Sequence, residues 1–201
     1  LLFHAVNRAL VFALLEKRRA APWTRTAGAL LWGLFPRLTE AAAWISGRTD
    51  VLAGTFVLAA LLLASSAWRG RYWLASIAAL LGMLSKEVAL AALVAVAGMA
   101  WLETRGAAWR ARVLALMPLV LGAAAYATLR IWAIGAPIRT TFSLGARLLA
   151  ALEALGRYAF MTVVPWQPNA QIGLLGCRVM GFVIVGAVVA AAAAGVAGWE
   201  G

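Results

Sequence analysis

Acidic residues are scarce in this sequence. Asp and Glu number 7 against 18 Lys and Arg, and cysteine occurs once. The single Cys177 excludes an internal disulfide and a cysteine-based metal cluster, and reads as an apolar filler. Charge of either sign is thin, at 12% of residues, where a soluble domain carries about a quarter. With 65% hydrophobic residues and a mean hydropathy of +0.90, the composition is that of a polytopic membrane protein. No soluble body is left over to carry a basic face, so the net charge of +11 does not point to nucleic acid. Basic residues beside membrane spans follow the positive-inside bias and pair with anionic lipid headgroups. An initiator Met is also lacking, as are the basic n-region and cleavage site of a signal peptide. The sequence opens on Leu-Leu-Phe-His within a helical pattern and stops at Gly201 after an Ala/Val-rich run, so it reads as an internal piece of a longer protein.

Where charge is scarce, its clusters stand out. The stretch Phe35–Gly54, FPRLTEAAAWISGRTDVLAG, gathers Arg37, Glu40, Arg48 and Asp50 between two apolar runs. Charge at bilayer depth is expensive and marks a functional site by default. The plainer reading is a solvated loop whose acids cap helices.

The apolar periodicity places helices along the chain. Leu1–Leu15 is helical and ends in the basic cluster Glu16-Lys17-Arg18-Arg19. Thr24 or Thr26 is expected to cap a helix that runs to Leu34, before Pro36. Thr39 and Glu40 read as cap and first-turn acid of a short helix Ala41–Ser46, closed by Gly47, with Trp44 at the interface. Asp50 reads as the N-cap of a span Val51–Ala67. Trp73–Leu84 and Val88–Leu102 flank Ser85-Lys86-Glu87, and reach about 18 and 22 Å as helices, short of the ~30 Å hydrocarbon core. Either a hairpin turns at Ser85–Glu87 or one long tilted helix carries these charges; Ser85 as cap and Glu87 as first-turn acid favour the hairpin. Val113–Trp132 is the cleanest full-length span. Leu144–Val164 is amphipathic and suited to the membrane surface, and Val179–Trp199 makes a final span. The fold expected is all-α: a bundle of about seven membrane helices, some short or broken, with an amphipathic interfacial segment, forming part of one domain over 1–201.

With the hairpin, three loops share one side and carry Lys17, Arg18, Arg19, Arg25, Arg69, Arg71, Arg105, Arg110 and Arg112. The mixed-charge segments 36–50, 85–87 and 133–173 fall on the other side, which the positive-inside bias makes extracytoplasmic.

The segment TEAAAWISGRTDVLAG resembles the signature of the O-mannosyltransferase-like GT-C glycosyltransferases that carry tetratricopeptide repeats, roughly H-P-x-H-x-E-A-V-A-W-x-x-x-R-x-D-x-L-A. Pro36, Glu40, Ala41, Ala43, Trp44, Arg48, Asp50, Leu52 and Ala53 match it. His4 and Asn7 in LLFHAVNRALVF resemble the family's preceding H-x-x-N helix. Leu84–Glu87 resembles its S-K-E segment, and Tyr158 with Pro165 a later Y…P stretch. The likeness is good over about the first hundred residues and weak beyond. Both signature histidines are replaced, by Phe35 and Leu38, so any contact that they make in the family is lost here.

The resemblance implies transfer of a sugar, mannose or a relative, from a polyprenyl-phosphate carrier to an extracytoplasmic acceptor, expected to be a protein. It also implies a bacterial inner-membrane protein. The general base is expected in an exterior loop before Leu1, and a repeat region after Gly201. Arg48, Lys86, Arg139 and Arg147 are candidates for the donor phosphate. Glu40, Asp50 and Glu87 are candidates for orienting the sugar, with His4 and Tyr158 as further substrate contacts. The sequence shows no dedicated site for a divalent metal and leaves cofactors open. Each residue has a plainer reading. Glu40 and Glu87 complement helix dipoles, Asp50 caps, Arg48 snorkels, His4 packs through a hydrogen bond, and Tyr158 joins an aromatic belt. Exterior loops tolerate Arg139 and Arg147. A rival of another class is a catalytically inactive membrane scaffold or lipid-binding relative. A transporter is disfavoured, because no internal repeat is visible and the charges gather on one face.

Overall fold

The computed structural model describes residues 1–43, 47–135, 143–163, 184–188 and 191, and of Pro36, Arg37, Glu40, Thr162 and Val163 only the backbone. The chain divides into two compact units, Leu1–Pro137 and Ile138–Gly201. All regular structure among the described residues is helical. The first unit holds α1 (Leu2–Lys17), α2 (Pro22–Leu34), α3 (Pro36–Ala43), α4 (Arg48–Ala64), α5 (Arg71–Ser85), α6 (Leu90–Glu103) and α7 (Trp109–Ile134). A single 3-10 turn, Glu87–Ala89, leads into α6.

Proline sets several boundaries, and hydroxyls set fewer than the sequence suggests. Pro22 opens α2 at its first position, where a missing N–H is harmless, and Ala21 precedes it without a side-chain cap. Thr26 instead bonds back to the Pro22 carbonyl, so the expected threonine cap is not formed. Phe35 is extended (φ −62°, ψ 121°), as the residue before proline prefers, and Pro36 starts α3. Thr39 therefore lies inside α3, bonded to the Phe35 carbonyl, rather than capping a later helix. Residues 44–46, with Trp44, are outside the described residues. Gly135, at φ +86°, closes α7 in a region that a side chain would resist.

Short α3 aside, the helices of the first unit run alternately up and down, and a polar contact marks each antiparallel neighbour. His4 near the start of α1 bonds to Gly33 near the end of α2, at 3.0 Å. Lys86 just past α5 meets Asp50 at the start of α4. Arg71 opening α5 meets Glu103 closing α6. Glu87 leading into α6 meets Arg130 near the end of α7. The hairpin at Ser85–Glu87 is thus what forms, and the long-helix alternative is excluded. Its turn works differently from the expectation. Ser85 ends α5 and bonds back to Leu81, and Lys86 breaks the helix with an extended backbone.

The core is a seam of small side chains. Ala53, Ala60 and Ala64 on α4 lie against Ala75, Ala78, Ala79 and Met83 on α5, with Ala92, Leu93, Val96 and Ala100 of α6 and Ala115 and Leu119 of α7. Small residues at i, i+4 spacing let backbones approach closely, the mode by which membrane helices associate. Many of the larger apolar side chains point outward: Val94, Leu114 and Val120 are 68%, 64% and 65% exposed.

Among the described residues, α7 alone is long and apolar enough to cross a membrane by length and composition, where about seven such helices were expected. Several of the others stop early. α4 has 17 residues, α5 15 and α6 14, or about 25, 22 and 21 Å. The α4 helix ends at Ala64 because the Ser65 and Ser66 hydroxyls bond to the Leu61 and Leu63 carbonyls and begin a turn.

The second unit contributes α8 (Leu144–Val163), which covers the expected amphipathic segment. Glu153 on it is buried and takes two bonds from Arg157, at 2.7 and 3.0 Å. Pro165 and Cys177 lie outside the described residues, as does most of the expected span Val179–Trp199.

Candidate functional site

The α4 helix begins at Arg48, one residue after buried Gly47, so Asp50 occupies its first turn. This corrects the expectation that Asp50 is the N-cap: no side chain caps α4. The Asp50 carboxylate accepts a hydrogen bond from the Lys86 ammonium. An acid in the first turn suits the helix dipole, and the same position aims the carboxylate at the α5–α6 turn.

That turn presents Lys86 and Glu87 in opposite directions. The extended backbone of Lys86 (φ −159°, ψ 132°) ends α5, and Glu87 opens the 3-10 turn as its first-turn acid. Lys86 reaches back to α4, while Glu87 Oε2 accepts from Arg130 Nη1 on α7 at 3.3 Å. Arg130 Nη1 also donates to Tyr126 Oη, one helical turn earlier, at 3.0 Å. A line of charge therefore crosses one end of the first unit: Asp50, Lys86, Glu87, Arg130, Tyr126. Both ion pairs are open to the surroundings, with side chains 40% and 43% exposed in one and 46% and 68% in the other. Such pairs are worth about 0–1 kcal/mol to folding.

Two hollows flank this line. One, of about 500 Å³, lies between the α5–α6 turn and the last turns of α7; Lys86, Glu87, Tyr126, Arg130 and Trp132 line it. The other, of about 270 Å³, is apolar and formed by Leu1 and Phe3, by Ala41 and Ala42 of α3, and by Val51 and Leu52 of α4, with Arg48 as its charged member.

The remaining sequence candidates fall elsewhere. His4 Nε2 donates to the Gly33 carbonyl and ties α1 to α2. One turn further, buried Asn7 donates to the Val51 carbonyl at 3.1 Å and ties α1 to α4. The H-x-x-N pair thus serves helix packing in this unit. The Glu40 backbone lies in α3, its side chain is outside the described residues, and so is Arg139. Arg147 and Tyr158 are on α8 in the second unit, Tyr158 exposed. Among the described residues no group of three or more His, Cys, Asp or Glu is placed to hold a metal ion.

Sequence reasoning missed Arg130, Tyr126 and Trp132. A signal was present: Arg130 is the only charge in the run 113–132, near the end of an otherwise apolar helix. Its partners are set by tertiary contact and cannot be read from spacing. Compared with protein-family models, curated proteins and solved structures, the chain matches none.

Proposed function

We propose that the chain is the core of a membrane glycosyltransferase that moves a sugar from a polyprenyl-phosphate carrier to an extracytoplasmic acceptor, a protein. The reading draws on the resemblance of two short segments, RTDVLA and SKE, to one enzyme family. The observation that carries it is the Asp50–Lys86 ion pair, which joins those segments across 36 residues of sequence. Motif pieces far apart in the chain meet at one point, as the parts of one site must.

The surroundings support a membrane setting. Outward Val, Leu and Trp side chains over an alanine seam suit a lipid solvent, and α7 is long and apolar enough to span it. The shorter helices α4 to α6 cross where the bilayer thins around them, at a modest energetic cost. The bundle is then polytopic. The basic turns at 17–25, 65–71 and 103–112 face the cytoplasm, and the Asp50–Arg130 end faces outward. There the donor phosphate meets Lys86, while Asp50 and Glu87 orient sugar hydroxyls. The apolar hollow beside Arg48 suits the first isoprene units of the carrier.

One observation favours the rival reading, a lipid-binding scaffold without catalysis: Lys86 and Arg130 are already neutralised by acids. Turnover separates the two. Full-length protein in proteoliposomes is expected to transfer labelled mannose from polyprenyl-phosphate mannose to added protein acceptors. Donor binding without any turnover would leave the scaffold.

A further inference from the structure

The larger hollow holds groups that the sequence did not connect, and their chemistry divides into two parts. Arg130 and Lys86, both lining the hollow, are cations of different shape, one a planar fork and one a point charge. Both are held by exposed carboxylates that a multiply charged anion can displace. Two residues past Arg130, Trp132 borders the same hollow and is 85% exposed. A flat aromatic face with a polar edge matches the C–H face of a pyranose ring. Glu87 and Tyr126 add an acceptor and a hydroxyl within the same walls.

We propose that this hollow seats the sugar-phosphate headgroup of a lipid-linked donor, with Arg130 and Lys86 on the phosphate and Trp132 against the sugar ring. The proposal rests on the glycosyltransferase reading and adds to it the α7 wall, which none of the motif segments supplies. On phosphate entry Lys86 and Arg130 exchange their carboxylates for phosphate oxygens. The released Glu87 carboxylate is then available to a sugar hydroxyl. The carboxylates thus hold the cations in place until the donor arrives.

The test uses full-length protein in detergent and two short-chain probes, citronellyl phosphate and citronellyl-phosphate mannose. Arg130→Gln is expected to weaken binding of both probes about tenfold, and Arg130→Lys less. Trp132→Ala is expected to weaken the mannosyl probe about fivefold and leave the bare phosphate unchanged, which also shows that the variant is folded. Arg71→Gln, at the opposite end, is expected to change neither. Wild-type protein that binds neither probe would overturn the glycosyltransferase reading and this proposal together. Wild-type binding that Arg130→Gln and Trp132→Ala leave intact would overturn the proposal alone. Equal loss of both probes in Trp132→Ala would remove Trp132 from the sugar.

Discussion

Asp50→Asn is expected to accumulate in the membrane at wild-type level and to lose sugar transfer by roughly ten- to a hundredfold. Structure and chemistry separate cleanly at this residue. Asp50 caps nothing, so Asn in the first turn of α4 gives up only a favourable charge at the helix dipole, about 0.3–1 kcal/mol, and an exposed ion pair worth about as little. Transfer is more sensitive. Hydrogen bonds to charged groups contribute about 1.5–3 kcal/mol, and each ~1.4 kcal/mol removed from transition-state binding is tenfold in rate. The same change also leaves Lys86 without its carboxylate, free to settle elsewhere. Glu16→Gln is the matched control. It breaks the 3.0 Å pair with Arg25 at the opposite end and is expected to leave transfer unchanged. Turnover of Asp50→Asn at the wild-type rate would remove Asp50 from the site.

Gly122→Leu is expected to destabilise the first unit by about 2–4 kcal/mol and to abolish transfer with it. Gly122 lies where α7 crosses α5, and even a Cβ there would overlap the Ser76 hydroxyl. That hydroxyl is buried and donates to the Pro118 carbonyl at 2.6 Å, so giving way costs it that bond. A leucine must push the two helices apart. Because α5 ends at the Lys86 turn and α7 carries Arg130, the same displacement opens the line of charge between them. Gly98, on the outer face of α6 with no atom near its would-be Cβ, is the control; Gly98→Leu is expected to be tolerated. Thermal unfolding in detergent reads both. Equal stability of Gly122→Leu and wild type would mean that α5 and α7 do not pack at this crossing.

The sequence made the helices legible, and the turn between α5 and α6, because apolar runs and charged interruptions are local signals. Alternation of basic and mixed-charge loops also anticipated which ends group together. Helix starts were misplaced where backbone context outweighed a side-chain cap. Asp50 reads as a cap, yet α4 begins at Arg48; Thr39 reads as one, yet α3 begins at Pro36. The span count differs because α4, α5 and α6 are each 17 residues or shorter; serine hydroxyls at 65 and 66 close α4. Residues that meet at the charged end are legible where they sit in a motif, as Asp50, Lys86 and Glu87 do. Arg130 reaches Glu87 across 43 residues and belongs to no motif, so only the packing of α7 reveals it. His4 stood out as the single imidazole, yet its bond to Gly33 is a packing contact of the plainer kind.

The central claim is that a lipid-linked sugar docks at the Asp50–Arg130 end of the bundle. Photo-crosslinking tests it most directly. A benzoylphenylalanine placed at Ser85 or Leu129, beside the larger hollow, is expected to capture radiolabelled polyprenyl-phosphate mannose in membranes, and excess unlabelled donor is expected to compete it away. The same probe at Ala107, in the α6–α7 turn of the opposite end, is expected to capture none. Capture at Ala107, or none at Ser85 and Leu129, would contradict the claim.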